Sequence, residues 1–143
     1  MTAGDALSRF FVEHGLLPEG SAFADWIGDR WYRMGGVPVL PLVGRIKESL
    51  ILHDVHHLLT GYDTSWTGEL ELAGWELGSG GCGWHLFFWF DRLGTLALAL
   101  LTAPRVTLRA LRRGRSERNL YRRRSAEVLA SEISELKRYV CRS

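Results

Sequence analysis

The 143-residue sequence has the composition of a folded domain, with 46% hydrophobic and 24% charged residues. This balance excludes disordered, collagen-like and low-complexity chains, and two cysteines are too few for a disulfide scaffold, so we expect free thiols in a reducing compartment. The formal net charge is +2, yet residues 105–124 contain nine arginines and one acidic residue, so the rest of the chain is net acidic. The length fits a single domain over residues 1–143.

Apolar residues follow a helical period along most of the chain. The pattern predicts a first helix around Leu7–His14, closed by Gly15, and a second over Phe23–Met34 with Ser21 as its N-cap. The following segment, Val37–Pro41, is too rich in proline for a helix interior, and its residues 37–40 are the one candidate strand.

The second half of the sequence predicts four further helices. The first covers residues 42–60, and the second is a short segment that begins near Glu69 and ends at a hinge over Gly78–Gly83. The third is the apolar segment Trp84–Ala103, stopped by Pro104, and the fourth runs from Ser116 almost to the C-terminus. The fold class expected from the whole pattern is all-α, a single-domain helical bundle of about six helices.

No targeting or membrane-spanning segment is expected. Asp5 and Glu13 interrupt the first apolar stretch, which argues against a signal peptide. Asp91 and Arg92 interrupt Trp84–Ala103, and the uninterrupted remainder is far shorter than the ~20 residues that a span requires. We therefore interpret this segment as a buried helix of a cytoplasmic protein.

Three of the five histidines lie within five residues of the third predicted helix. On a helix His53 and His57 lie about 40° apart, and Asp54 shares their arc, whereas His56 lies on the other side of His53. Two histidines four residues apart can bind one metal ion, and imidazole with carboxylate suits zinc, iron or manganese. The pattern therefore predicts that His53 and His57 point inward and form part of a metal site.

The site needs a second carboxylate from another element. Glu69 follows His57 by twelve residues across a polar loop, and Asp63 within that loop is the rival. Glu76 lies about 20° from Glu69 on the same helical face, so it is either an acid beside the site or a solvated residue. Tyr62 is either a substrate contact or part of the turn.

Two other interpretations compete with a metal site of this kind. A single inward histidine is commonly a hydrogen-bonded core residue, although two with an adjacent aspartate are harder to explain in that way. The helical HD phosphohydrolases also bind metal through a His-Asp pair. They need an upstream histidine and a distant aspartate, for which only His14 and Asp91 are available, and Glu69 has no role in that scheme.

The segment from His53 to Glu76 resembles the signature of the coenzyme Q biosynthesis protein 4 family. The resemblance rests on His53-Asp54-x-x-His57, eleven intervening residues and then Glu69, together with Leu59-Thr60-Gly61-Tyr62 and Gly68-Glu69. It implies an all-helical protein, often a homodimer, with one divalent ion, most commonly zinc. The ligands that it implies are His53, Asp54, His57 and Glu69.

The resemblance also implies an activity on the head group of polyprenylated ubiquinone precursors. We expect a metal-dependent lyase that carries out a decarboxylation- or hydroxylation-type step on the ring of a quinone precursor or a related natural product. Its substrate would be a small molecule with an isoprenoid tail, and Glu76 and Tyr62 are the candidate catalytic residues. The alternatives are a non-catalytic scaffold that presents a lipid-like intermediate to partner enzymes, and the same fold used as a lyase or cyclase in specialised metabolism.

The arginine-rich segment Arg105–Arg124 has three interpretations. It is a solvated surface, or it contacts anionic lipid headgroups or a phosphorylated ligand, or it binds nucleic acid. The last is disfavoured because Tyr121 is the only aromatic residue among the arginines. We therefore expect no nucleic-acid partner, and a peripheral contact with the inner face of a membrane as the alternative to a plain surface.

Overall fold

A computed structural model describes residues 1–15, 31–34, 37–41 and 44–141, with side chains for 1–15 and 44–141. This part of the chain contains seven helices and one two-stranded hairpin. In chain order they are α1 Ala3–Glu13, β1 Trp31–Met34, β2 Val37–Pro41, α2 Gly44–Thr60, α3 Trp66–Gly78, α4 Leu86–Thr102, α5 Pro104–Arg115, α6 Ser125–Ala130 and α7 Ile133–Val140. The predicted all-α class is confirmed, and the helices surround one apolar core.

The hairpin corrects the predicted second helix at its C-terminal end. Trp31–Met34 pairs antiparallel with Val37–Pro41, with a bulge between Tyr32 and Arg33. The remainder of that predicted helix and its N-cap lie outside the described residues. A short apolar run fits a helix or a strand by periodicity alone, and here Trp31–Met34 forms a strand because it pairs with the segment Val37–Pro41. The candidate strand over residues 37–40 lies within β2.

The C-terminal region forms two helices where one was predicted from Ser116 onward. Ser131 and Glu132 are extended between α6 and α7, and Glu132 forms an isolated β-bridge with Thr2 at the start of α1. This pairing with the N-terminus breaks the helix, although the apolar seam persists, since Leu136 and Val140 are buried. A contact between the two ends of the chain is not visible in local periodicity.

Helix α4 has one buried face and one exposed face, which corrects the prediction of a fully buried helix. Phe88, Arg92 and Ala99 are buried, whereas Phe90 and Leu101 are 79% and 83% exposed. Pro104 ends this helix as predicted and also opens α5, because a proline at the first helical position loses no hydrogen bond. None of the described helices combines the length and the apolarity needed to cross a membrane.

Glycines allow α3 and α5 to pack closely. A Cβ atom at Gly74 would lie 2.9 Å from the carbonyl oxygen of Thr107, and one at Gly78 would overlap the carbonyl oxygen of Leu111. Gly114 of α5 approaches the backbone of Trp75 in the same way. The close packing fixes the position of α3 beside the C-terminal half of α2, where the histidines lie.

Candidate metal centre

The turn between α2 and α3 brings Glu69 to the histidines. Gly61 ends α2 with a φ of +79°, a left-handed conformation that favours glycine. The Ser65 hydroxyl then caps α3 by accepting the Gly68 N–H at 3.1 Å, so α3 begins at Trp66 and not, as predicted, at Glu69. Asp63, the alternative to Glu69 as the second carboxylate, accepts hydrogen bonds from Ser65 within the turn.

His53, His57 and Glu69 form the candidate metal cluster. One ligand atom from each lies within 4.8 Å of the other two, and this is the one such group of three among the described residues. Nε2 of His57 lies 3.0 Å from Oε1 of Glu69, and Nε2 of His53 lies 3.3 Å from Oε2. Both imidazoles are buried, as predicted, whereas the Glu69 side chain is 30% exposed and faces the approach from solvent.

Every ring nitrogen of these two histidines faces an oxygen that can only accept a hydrogen bond. Nδ1 of His57 donates to the Tyr62 carbonyl oxygen at 2.9 Å, and Nδ1 of His53 donates to Oε1 of Glu76 at 3.0 Å. A neutral imidazole has one N–H, so each Nε2 then carries a lone pair towards the Glu69 carboxylate. Such a pairing is stable only with a second proton on the ring or with a cation between the two atoms. The set of donors therefore fits a metal bound by both Nε2 atoms and Glu69.

The pKa values of the cluster residues in the absence of a metal also indicate a site for positive charge between the histidines and Glu69. Burial disfavours the charged form of His53, but the carboxylates of Glu76 and Glu69 outweigh burial and raise the pKa of His53 to about 10. Burial alone would raise the pKa of Glu69, yet hydrogen bonds with His53 and His57 hold it well below its usual range. Positive charge is thus favoured between these side chains, and a divalent ion would supply it while displacing a proton.

Glu76 is fully buried and organises the side of the cluster away from solvent. Its Oε1 accepts hydrogen bonds from His53, from Nδ1 of His56 at 2.7 Å and from the Tyr121 hydroxyl at 2.7 Å. Burial would raise the pKa of Glu76, but the charge of His53 and these hydrogen bonds keep it well below the usual value. The sequence left two interpretations of Glu76 open, and the structure therefore excludes the one in which Glu76 is a solvated residue.

Arg92 of α4 lies beside both glutamates and was not identified from the sequence. Its Nε and Nη2 donate to Asp91 at 2.8 and 2.5 Å, whereas its buried Nη1 has no hydrogen-bond partner among the described residues. Nη1 lies 3.6 Å from Oε2 of Glu76, which also lacks a partner, and 3.8 Å from Glu69. Because the guanidinium of Arg92 is paired with Asp91, it does not by itself neutralise Glu69 and Glu76. The available signal was a charged pair inside an apolar helix.

His56 is a core residue with both ring nitrogens hydrogen bonded. Nδ1 donates to Glu76, and Nε2 accepts the Leu120 backbone N–H at 2.9 Å. Burial lowers the pKa of His56, so the ring is neutral. Its position outside the cluster agrees with the helical phase. The sequence did not show that His56 is buried as well, on a second face of the same helix.

Asp54 and Tyr62 do not join the cluster in the way the sequence suggested. Asp54 is partly buried, and burial raises its pKa to about 6, but no atom of it lies within the group of mutually close ligand atoms. Its place as a fourth ligand remains a prediction. Tyr62 contacts His57 through its backbone carbonyl, while its ring lies 5.3 Å from the guanidinium carbon of Arg113.

Comparisons of the chain with family models, with curated proteins and with solved structures give no match.

Proposed function

We propose that the protein is a metal-dependent enzyme that binds one divalent ion through His53, His57 and Glu69 and acts on a small molecule that carries a carboxylate. The observation that carries the proposal is the orientation of the two imidazoles, whose Nδ1 atoms are held by Tyr62 and Glu76 so that both Nε2 atoms face Glu69. Two histidines and one glutamate are a ligand set found in catalytic zinc sites, and they leave at least one coordination position for substrate or water. A bound ion would serve as a Lewis acid that polarises a substrate oxygen.

The chain's own residues suggest why the substrate would carry a carboxylate. Nη1 of Arg92 is buried beside the cluster without a hydrogen-bond partner, at ion-pair distance from Glu76 and Glu69, and a substrate carboxylate would accept a hydrogen bond from it. Glu76 would hold His53 in one ring orientation, which makes it a positioning residue. Tyr62 would do the same for His57 through its carbonyl oxygen.

The proposed reaction class follows from the sequence motif His53-Asp54-x-x-His57 with Glu69. The resemblance to the coenzyme Q biosynthesis protein 4 family suggests removal of a ring carboxylate, in which the bond to the ring breaks, carbon dioxide leaves and a proton takes its place on the ring. A quinone precursor or a related natural product would then be the substrate. Zinc, iron and manganese all suit two imidazoles and a carboxylate.

A scaffold function is the second candidate, and the outer face of α4 favours it. Leu86, Phe90 and Leu101 are 73%, 79% and 83% exposed, a larger apolar surface than a monomeric helix usually leaves in water. A scaffold could present an isoprenoid-tailed intermediate along such a face. It would tolerate a metal whose coordination positions are all filled by protein ligands, whereas an enzyme needs an open one.

Cobalt(II) in place of the native ion separates these functions, because its visible spectrum responds to a change in coordination. For the enzyme, we expect benzoate, the simplest ring carboxylate, to shift the spectrum of the cobalt-loaded protein in a saturable way. Arg92→Gln should weaken this response, whereas Arg109→Gln on the exposed face of α5 should not. A cobalt spectrum that does not respond to benzoate, in a protein that binds the ion stoichiometrically, would favour the scaffold.

A further inference from the structure

We propose that a second site, distinct from the metal centre, binds the phosphate group of a small soluble phosphate ester. The site is a cavity of about 580 Å³ between the start of α2, the residues that precede α4 and the segment that leads into α6. None of the three metal-cluster residues is among the residues that line it. The proposal does not depend on the function proposed above.

The charge of the cavity identifies the ligand class. Arg45 from α2 and the consecutive Arg122, Arg123 and Arg124 line it. Among the described residues none of these four arginines forms an ion pair, although Arg123 also lies 5.3 Å from the Tyr139 ring. Unpaired arginines that share a concave surface repel one another and attract an anion, and the guanidinium group matches phosphate oxygens with paired donors.

One acidic residue lines the cavity, and it is partly engaged elsewhere. Glu48 accepts the Ser125 backbone N–H through Oε1 at 3.1 Å, which ties the start of α6 to α2. Four arginines against one glutamate leave an excess of positive charge that a doubly charged phosphate ester would offset. A single carboxylate would offset less of it.

A buried histidine in the cavity wall indicates that the ligand also carries a hydrogen-bond donor. His85 is 8% exposed, and its Nε2 donates to the Tyr121 carbonyl oxygen at 3.2 Å, so Nδ1 carries the lone pair. Nδ1 has no hydrogen-bond partner among the described residues, which is unfavourable for a buried polar atom. A hydroxyl group on the organic portion of the ester would satisfy it, whereas an ionised phosphate oxygen would not.

The rim of the cavity suggests what the phosphate is attached to. Trp84 lines the cavity and is 82% exposed, so its indole offers a flat apolar surface beside the arginines. Such a surface suits a planar or apolar organic group on the ester. We therefore infer a phosphate ester with a planar portion, and not free inorganic phosphate.

The test is calorimetric titration of the 143-residue protein with phenyl phosphate and, separately, with inorganic phosphate. We expect saturable binding of phenyl phosphate and weaker binding of inorganic phosphate, with the difference lost in Trp84→Ala. The triple variant R45Q/R122Q/R124Q should weaken phenyl phosphate binding by ~10-fold or more, because three charge-assisted contacts are lost. The matched control R105Q/R109Q/R112Q removes the same charge from exposed positions on α5 and should change binding by less than about twofold.

Two further measurements exclude other origins of the signal. The variant His57→Ala should retain phenyl phosphate binding, and loss of binding there would place the phosphate on the metal centre and overturn the proposal. Equal weakening by the two triple variants would show general charge attraction and would also overturn it. So would binding to vesicles containing phosphatidic acid without binding to phenyl phosphate, since the ligand would then be a lipid surface.

Discussion

Glu76 shows how one buried side chain determines what two histidines can do. Its Oε1 accepts hydrogen bonds from His53, which is in the cluster, and from His56, which is not. The helical phase of α2 separated these two histidines correctly, because it depends only on 100° per residue. The phase could not show that Glu76, from another helix, joins both of them, since that contact depends on how α3 packs against α2.

We expect Glu76→Gln to leave the metal ligands in place and to weaken their hold on the ion. The amide removes the charge that favours one ring orientation of His53, and loss of such an outer partner usually lowers metal affinity by about 10–100-fold. Competition with a chromophoric chelator measures this change. Glu71→Gln on the same helix is the control, and equal affinities of both variants would show that Glu76 does not orient His53.

The variant His56→Ala should separate stability from metal binding. It leaves the Leu120 N–H and part of Glu76 without a buried partner and opens a cavity, so we expect a loss of ~2–4 kcal/mol in the free energy of unfolding. Metal stoichiometry should persist, because both Nε2 ligands remain. Denaturant unfolding measures the loss of stability, and elemental analysis measures the metal content. Loss of the metal in a variant that stays folded would contradict the assignment of His56 to the core.

Among the secondary-structure elements, the sequence predicted correctly those whose ends and periodicity depend on neighbouring residues. Its predictions were wrong where an element depends on a partner far away in the chain. Gly61 ended α2 and the period of α2 was correct, since both follow from the residues themselves. The strand Trp31–Met34 and the break between α6 and α7 depend on partners elsewhere in the chain, residues 37–41 and Thr2. The residues of the candidate metal centre were likewise predicted where they are neighbours in sequence and missed where they are not. The histidines and Glu69 lie close in sequence, whereas Arg92 and Tyr121 reach the cluster from later elements.

Gly78→Ala should destabilise the fold, because its new Cβ atom would overlap the carbonyl oxygen of Leu111 where α3 and α5 cross. Overpacking of this kind costs about 1–3 kcal/mol. Gly94→Ala in α4 is the matched control, since nothing lies within 4 Å of its Cβ position and alanine favours a helix over glycine by about 1 kcal/mol. The midpoint of thermal unfolding should therefore fall in Gly78→Ala and rise in Gly94→Ala. An unchanged midpoint in Gly78→Ala would show that α3 and α5 are not so closely packed.

At the scale of the whole molecule, the outer faces of α4 and α5 lie on either side of Pro104 and combine apolar and basic residues. Leu100 and Leu101 are exposed on α4, and Arg105 and Arg109 are exposed on α5. This combination would suit the peripheral membrane contact that the sequence analysis gave as the alternative to a plain surface, because apolar side chains can enter the headgroup region while arginines meet anionic lipid. Composition alone revealed the charge but not its position beside an exposed apolar face.

We expect the protein to sediment with acidic vesicles and not with neutral ones, and the binding should weaken as salt rises through ~0.15 M, where charges are screened beyond about 8 Å. R105Q/R109Q/R112Q should reduce this binding more than R45Q/R122Q/R124Q, the reverse of the order expected for phenyl phosphate. Absence of any preference for acidic vesicles at low salt would leave these arginines as a solvated surface.

Metal content per chain decides whether His53, His57 and Glu69 form a metal site. After equilibration with zinc, iron or manganese and removal of the excess, elemental analysis should find one divalent ion per chain. His57→Ala and Glu69→Gln should lose it, Asp63→Asn should keep it, and Asp54→Asn should show whether the cluster takes a fourth ligand. A native protein that retains none of these ions, or full metal content in both His57→Ala and Glu69→Gln, would contradict the account.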